Sequence, residues 1–332
     1  MTSVSLLVIN YRSSALAADA IATARAASSR PLQVVVIDNS VDAAEADALR
    51  GTADIVLASP SNLGYARGIN AGRHLCDGDV IVVSNPDVLF GEKSIDRLID
   101  ANAAVAGPAL FWDDAHRWTL PPADLHTRRE VIDRVIASRS RAWARRRARR
   151  RFLERVAFWS LDRTTPVRAL SGAVMAIRAH AFDAVGGFDE RFPLYFEEND
   201  FLRRVKGDVL YVPAARCRHL YNQSAAGSPD AASLYARSEL LYLRKWGGAI
   251  ARRFERNLQP ERAAGEKGER DVVIEASPLP NFETAAGHLG GNIADVPHDV
   301  WSAYRGDVLY LRAVERQSGR VLRSWTKVRI PG

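Results

Sequence analysis

Short β-branched runs alternate with alanine-rich segments through the first 110 residues. "SLLVINY" (5–11), "QVVVIDN" (33–39), "DIVLAS" (54–59) and "DVIVVSN" (79–85) are apolar almost throughout, as strands buried on both faces are. Between them, segments such as "SALAADAIATARAAS" (14–28) read as helices. This alternation predicts a parallel sheet with right-handed crossovers, a Rossmann-like α/β half. Such sheets bind ligands beyond the carboxyl ends of their strands. Polar residues fall there: Asn10 and Tyr11 end the first strand, Asp38 and Asn39 the second, Asn85 and Asp87 the fourth. One such end reads equally well as a helix cap. Three on one edge point to a shared polar site.

Further along, "SGAVMAIRAHAFDAVGGFDE" (171–190) reads as a strand, a helix and a glycine turn. "PLYFEENDFLRRV" (193–205) reads as a loop entering a helix, with acids in the first turn where the macrodipole favours them. "DVLYVP" (208–213) is another strand, residues 229–256 read as helical, and the charged stretch 259–270 reads as a linker. Apolar–polar alternation around Ser318-Gly319 predicts a hairpin over 306–330. The expected organisation is one α/β domain over 1–258, carrying a basic insert at about 134–155, and a small β-rich domain over 271–332.

Composition changes this picture in two places. Apolar content of 47% and charged content of 26% are ordinary for a globular chain, and two distant cysteines exclude a disulfide scaffold or structural zinc site. No run approaches the ~20 apolar residues that cross a bilayer. The N-terminus lacks the basic region of a secretory leader. The expectation is a cytoplasmic protein, free or peripheral on the inner face of the cell membrane. The net charge of +7 is concentrated: residues 134–155 hold ten arginines and one glutamate, a local balance of +9. An anionic partner is expected to meet that segment. A solvated helix face, a nucleic-acid surface and an anionic membrane surface all accommodate it. Trp143, Phe152, Phe158 and Trp159 read either as interfacial anchors or as core aromatics beneath a basic helix.

Strand-end Asp38, "SNLGYARGINAG" (61–72), "NPDV" (85–88), "GGFDERFPLYFEENDFLRR" (186–204) and a later His219 follow an order that resembles family 2 glycosyltransferases of the GT-A fold. Among these, the pattern is most similar to bacterial rhamnosyltransferase-type enzymes of polysaccharide assembly. The resemblance spans residues 3–250 and leaves 271–332 outside it. It implies an α/β GT-A architecture and an inverting, metal-dependent glycosyltransferase. Rhamnose from dTDP-rhamnose is the leading donor. A UDP-hexose or UDP-galactofuranose donor, or a non-catalytic nucleotide-sugar-binding or membrane-scaffold protein, are the alternatives. The implied partners are a nucleotide sugar, a glycan or polyprenyl-diphosphate-linked acceptor, and an anionic membrane surface meeting 134–155, with no nucleic acid.

The same resemblance implies roles. Asp87 stands at the last Asp of the family's DxD motif and Asn85 at the first; His219 would be a second ligand to Mg²⁺ or Mn²⁺. Such a cation neutralises a leaving diphosphate and prefers oxygen ligands. Pro86, lacking an N–H, ends the strand ladder and frees Asp87 to point at it. Asp38 matches the acceptor of the pyrimidine N3–H, with Ile9, Asn10 and Tyr11 lining the base and Asn62, Gly64, Arg67 and Asn70 flanking the nucleotide. In the acidic group Glu197, Glu198 and Asp200, Glu198 holds the position of the base that removes the acceptor's proton. Helix capping would explain one of these acids.

Overall fold

The computed structural model describes residues 2–123, 127–220, 231–247, 272–290 and 295–329. The chain forms two compact units, Met1–Leu110 with Asp162–Glu239, and Phe111–Leu161 with Leu240–Gly332.

The first unit begins β1 (Val4–Asn10), α1 (Ser14–Ala26), β2 (Leu32–Asp38), α2 (Ala43–Leu49), β3 (Ile55–Ala58), α3 (Tyr65–Arg73) and β4 (Val80–Ser84). The four strands are parallel in the order β4-β1-β2-β3, and β1 and β4 are buried along their whole length. This is the alternation expected from the apolar runs. Helix α3 lies close over β1 and β2: a Cβ on Gly72 would sit 2.3 Å from Leu7, so a larger residue there would have to displace that side chain. Asn10 pairs with Asp38, and Val8 with Ser84, so all three strand ends reach one edge.

The turn at Asn85-Pro86-Asp87 leads into β5 (Val88–Phe90), α4 (Ser94–Asp100) and β6 (Val105–Phe111). The chain next enters the second unit through β7 (Trp118–Thr119), α5 (Arg128–Arg139) and α6 (Arg141–Trp159). It returns with β8 (Thr165–Pro166), β9 (Val174–Arg178), α7 (Ala179–Ala184), α8 (Glu197–Arg204) and β10 (Val209–His219). Strand β9 runs antiparallel between β4 and β6, and β10 pairs antiparallel with β5 and β8. Helix α9 (Ala231–Trp246) falls within the segment expected as helical. The rest of that segment, and the expected linker 259–270, lie outside the described residues.

The second unit adds β11 (Val272–Ser277), β12 (Ala286–His288), α10 (His298–Ala303), β13 (Val308–Glu315) and β14 (Val321–Val328), in the antiparallel order β14-β13-β11-β12-β7. The expected hairpin is present, with Gly319 at φ 69° in its turn. Helix α6 packs Phe152, Val156 and Trp159 against Val273 of β11 and Val314 of β13. Of the two readings open for the aromatics, Phe152 and Trp159 take the core one, because the C-terminal half of α6 covers this sheet. The arginine run is not one free surface. Arg155 and Arg312 are both buried on Glu275, while Arg147, Arg150 and Arg151 pair with Glu130 and Asp133. The basic segment belongs to the same compact unit as the β-rich C-terminal residues.

Candidate active site

The carboxyl edge of the parallel strands carries a buried polar cluster. Asn10 Nδ2 donates to Asp38 Oδ1 at 2.8 Å, and the Ser40 hydroxyl and amide both donate to the same oxygen. Glu45 accepts from Asn10 Nδ2 at 3.2 Å and from the Ser14 amide at 2.9 Å. Asn10 Oδ1 is buried without a hydrogen-bond partner, an unmet acceptor in the expected base pocket. Ile9 is buried beneath α3, whereas the Tyr11 ring is exposed with the Arg12 guanidinium over it.

The loop before α3 is shaped from both sides. Asn62 Oδ1 accepts from the Gly64 amide, and Asn39 Nδ2 donates to the Gly64 carbonyl. Gly64 has φ 78°, and a Cβ there would stand 3.0 Å from the Pro193 carbonyl. Asn70 forms a two-way clasp with Phe188, donating to its carbonyl and accepting from its amide, both at 2.9 Å. Exposed Arg67 lies 3.6 Å from Glu190. Asn70 and Arg67 therefore tie α3 to the 186–190 turn.

Asp87 and His219 meet. The antiparallel register sets His219 opposite Val88, and the Leu220 amide donates to the Asp87 carbonyl. Asp87 Oδ1 and His219 Nε2 are 3.3 Å apart and both side chains are buried. Asn85, half-buried, is fixed by its amide donating to the Ala173 carbonyl. One carboxylate and one imidazole fit a divalent cation whose remaining ligands are diphosphate oxygens and water. Among the described residues no group of three or more His, Cys, Asp and Glu side chains is placed to hold a metal.

Helix α8 brings the acids. Tyr195 and Phe196 precede it at φ 70° and 68°, left-handed conformations that bulky residues rarely adopt. Glu197 is 4% exposed, and its Oε2 is buried without a hydrogen-bond partner. Burial, and then the charge of Glu198, push the Glu197 carboxyl well above the ordinary carboxylate range. Glu198 is half-buried, its side chain against Gly172. Asp200 is wholly buried and accepts from Arg204 Nε at 2.9 Å; Arg204 also donates to the Val185 and Gly187 carbonyls.

Tyr65 links these parts, although no sequence feature singled it out within its motif. Its hydroxyl donates to the Gly172 carbonyl at 2.8 Å. Burial, and then the charges of Glu197, Glu198 and Asp87, push its phenol well up. Three carboxylates expected from distant motifs therefore share one electrostatic neighbourhood.

A parallel sheet with a polar carboxyl edge, an antiparallel extension bearing Asp87 and His219, and an acidic helix start define a GT-A glycosyltransferase. The chain belongs to the glycosyltransferase-like family 2, whose model matches residues 2–237, and it is a glycosyl-transferring enzyme. It is 29% identical over 243 residues to the N-acetylglucosaminyl-diphospho-decaprenol L-rhamnosyltransferase of Mycobacterium tuberculosis H37Rv, covering 65% of this chain and 75% of that one. Its fold is similar to that of GalNAc-T7, solved with UDP, GalNAc and Mn²⁺, at TM-score 0.50 and 12% identity; the match takes in 76% of this chain and half, 50%, of that one. The mannosyltransferase PcManGT of Pyrobaculum calidifontis, solved with GDP-Man and Mn²⁺, gives TM-score 0.45 at 14% identity over 76% of this chain and 74% of that one.

Proposed function

We propose that this chain is an inverting, divalent-cation-dependent glycosyltransferase acting on a polyprenyl-diphosphate-linked acceptor, with dTDP-rhamnose as donor. The observation that carries this reading is the convergence of Asp87, Glu197 and Glu198 on Tyr65, with His219 3.3 Å from Asp87. A diphosphate cannot approach the Asp87 and Glu198 carboxylates without a counter-charge. Asp87 and His219 would hold a Mg²⁺ or Mn²⁺ ion, which supplies that counter-charge to the leaving diphosphate.

The other groups divide the work. Asp38 and Asn10 receive the pyrimidine base at the strand edge. Asn62, Gly64 and Asn85 shape the loops beside the nucleotide. Glu198 takes the proton of the acceptor hydroxyl while the oxygen bonds to the anomeric carbon and the bond to the donor diphosphate breaks. Glu197, whose carboxyl burial and the charge of Glu198 raise well above the ordinary range, lies beside that base. Asp200 holds the 185–187 turn through Arg204. The name of the mycobacterial relative supports both the rhamnosyl donor and the decaprenyl-type acceptor.

The test is a thermal-shift screen of dTDP-rhamnose, UDP-hexoses and UDP-galactofuranose with and without Mn²⁺, followed by transfer to a polyprenyl-diphosphate glycan. Stabilisation by dTDP-rhamnose with Mn²⁺, and product of inverted anomeric configuration, are expected. A preference for a UDP sugar would replace the donor, and retained configuration would remove Glu198 as base.

A further inference from the structure

The approach to helix α8 carries strain that its packing only half explains. Tyr195 and Phe196 stand side by side in left-handed backbone, at φ 70° and 68°, where bulky residues are costly. Phe196 has a structural reason, since its ring is 3% exposed in the core. Tyr195 is only half-buried, so burial does not account for its backbone. Helix α9 braces the segment from one side. Its Tyr235 and Ser238, three residues apart, share a helix face. The Ser238 hydroxyl donates to the Leu194 carbonyl at 2.7 Å. The Tyr235 ring lies 5.6 Å from that of Tyr195 and 5.2 Å from that of Phe196. On the other side the Pro193 carbonyl faces Gly64, in the loop before α3. The segment therefore runs between that loop and α9, directly ahead of Glu197 and Glu198. Tyr235 is 39% exposed, so the braced pair presents ring surface to solvent.

We propose that Tyr195 and Tyr235 form a stacking platform for a sugar ring of the acceptor, held beside Glu198. A pyranose has a face of C–H groups and a rim of hydroxyls, and tyrosine offers an apolar ring with a polar tip to match. Burial, and then the charges of Glu197 and Glu198, push the Tyr195 phenol up, so it keeps its proton and can donate at that rim. A single exposed aromatic needs no explanation. Two whose rings meet, one of them on a strained turn two residues before the acids, do. Packing alone would favour glycine or asparagine at 195, which take this backbone at little cost. This placement rests on the transferase reading and adds to it the residues that receive the acceptor.

The experiment uses a short-chain N-acetylglucosaminyl diphospho-lipid, the chemistry in the name of the mycobacterial relative. Its binding to the full chain is measured by calorimetry with dTDP and Mn²⁺ present, followed by acceptor KM and kcat with dTDP-rhamnose. Tyr235→Ala and Tyr195→Gly should each weaken probe binding and raise acceptor KM by about tenfold, the contribution of one aromatic contact. The change in kcat at saturating acceptor should be smaller than that in KM. Tyr235→Phe and Tyr195→Phe keep the ring and should restore most of the affinity. Tyr195→Gly suits the left-handed backbone, so its Tm should equal or exceed that of Tyr195→Ala while both lose the probe alike. The thermal shift caused by dTDP-rhamnose with Mn²⁺ should persist in every variant; it reports an intact fold and tests the donor reading separately. The proposal is overturned if the alanine and glycine variants bind the probe as the parent does, if the phenylalanine variants do not restore binding, or if the parent shows the donor shift but does not bind the probe. A parent with neither response would overturn the transferase reading as well.

Discussion

Asp87 Oδ1 lies 3.3 Å from His219 Nε2, and the backbone on either side of the pair is fixed by the β5–β10 ladder. The Leu220 amide bond to the Asp87 carbonyl clamps the turn that follows β4 to the end of β10. Neither side chain must search for the other, so a cation bound as proposed would find Asp87 and His219 already placed.

Replacing Asp87 with Asn should therefore weaken metal-dependent binding of a nucleoside diphosphate by at least about tenfold. His219→Ala should do the same, with little change in metal-free binding. Calorimetry with and without Mn²⁺ measures both. Equal metal dependence in parent and variants would remove the pair as a cation site.

Glu198 and Asp200 are two residues apart on one helix turn, yet they should fail differently. Glu198→Gln keeps size but cannot take a proton, so kcat should fall by about 10²–10⁴ while donor Kd holds. Asp200→Asn leaves Arg204 without its buried carboxylate and should cost about 1–3 kcal/mol of stability. The folded Asp200 variant should retain much of its kcat. Chemical denaturation beside steady-state kinetics distinguishes the two.

The parts that could be read from the chain are those whose signal is local. Strands β1, β2 and β4 show as β-branched runs because they are buried on both faces, and the start of α8 shows as an acidic turn. The arginine run was misleading for the opposite reason. Its partners Glu130, Asp133, Glu275 and Glu283 lie up to 136 residues away, so a composition count registers charge where the fold makes pairs. Strands β7 and β12 span only two and three residues and carry no periodicity to detect. Tyr65 escaped notice because its partner is the Gly172 backbone carbonyl. The ion pair of Asp200 with Arg204 at i+4 shows only in three dimensions.

The buried Glu275 predicts how the second unit responds to acid. Burial opposes its charge, but Arg155 and Arg312 outweigh that and hold its carboxyl below the ordinary range. A carboxyl lowered on folding contributes stability that is present above its unfolded value and lost as pH falls through the folded one. The unit should therefore lose stability below about pH 4.3, the ordinary Glu value. Glu275→Ala would leave two buried guanidinium groups facing each other and should cost about 3–5 kcal/mol at neutral pH. A thermal scan against pH that gave parallel curves for parent and variant would refute this.

Glu197 should respond in the opposite direction. Burial and the neighbouring Glu198 raise its carboxyl, so the folded chain holds a proton that the unfolded chain releases above about pH 4.3. Its contribution is complete below that value and declines as pH rises toward the folded value. Glu197→Gln keeps the shape and removes the titration. In the absence of nucleotide and divalent cation, the variant should match the parent near pH 4 and exceed its Tm by a few degrees near neutrality, where about 1 kcal/mol corresponds to about 2–4 °C. The amide also retains a hydrogen-bond donor beside Glu198, so kcat should fall less than in Glu198→Gln. A Tm gap that stays constant from acid to neutral pH would mean that Glu197 is ionised in the folded protein. In that case a second carboxylate, and not a proton donor, would stand beside the base.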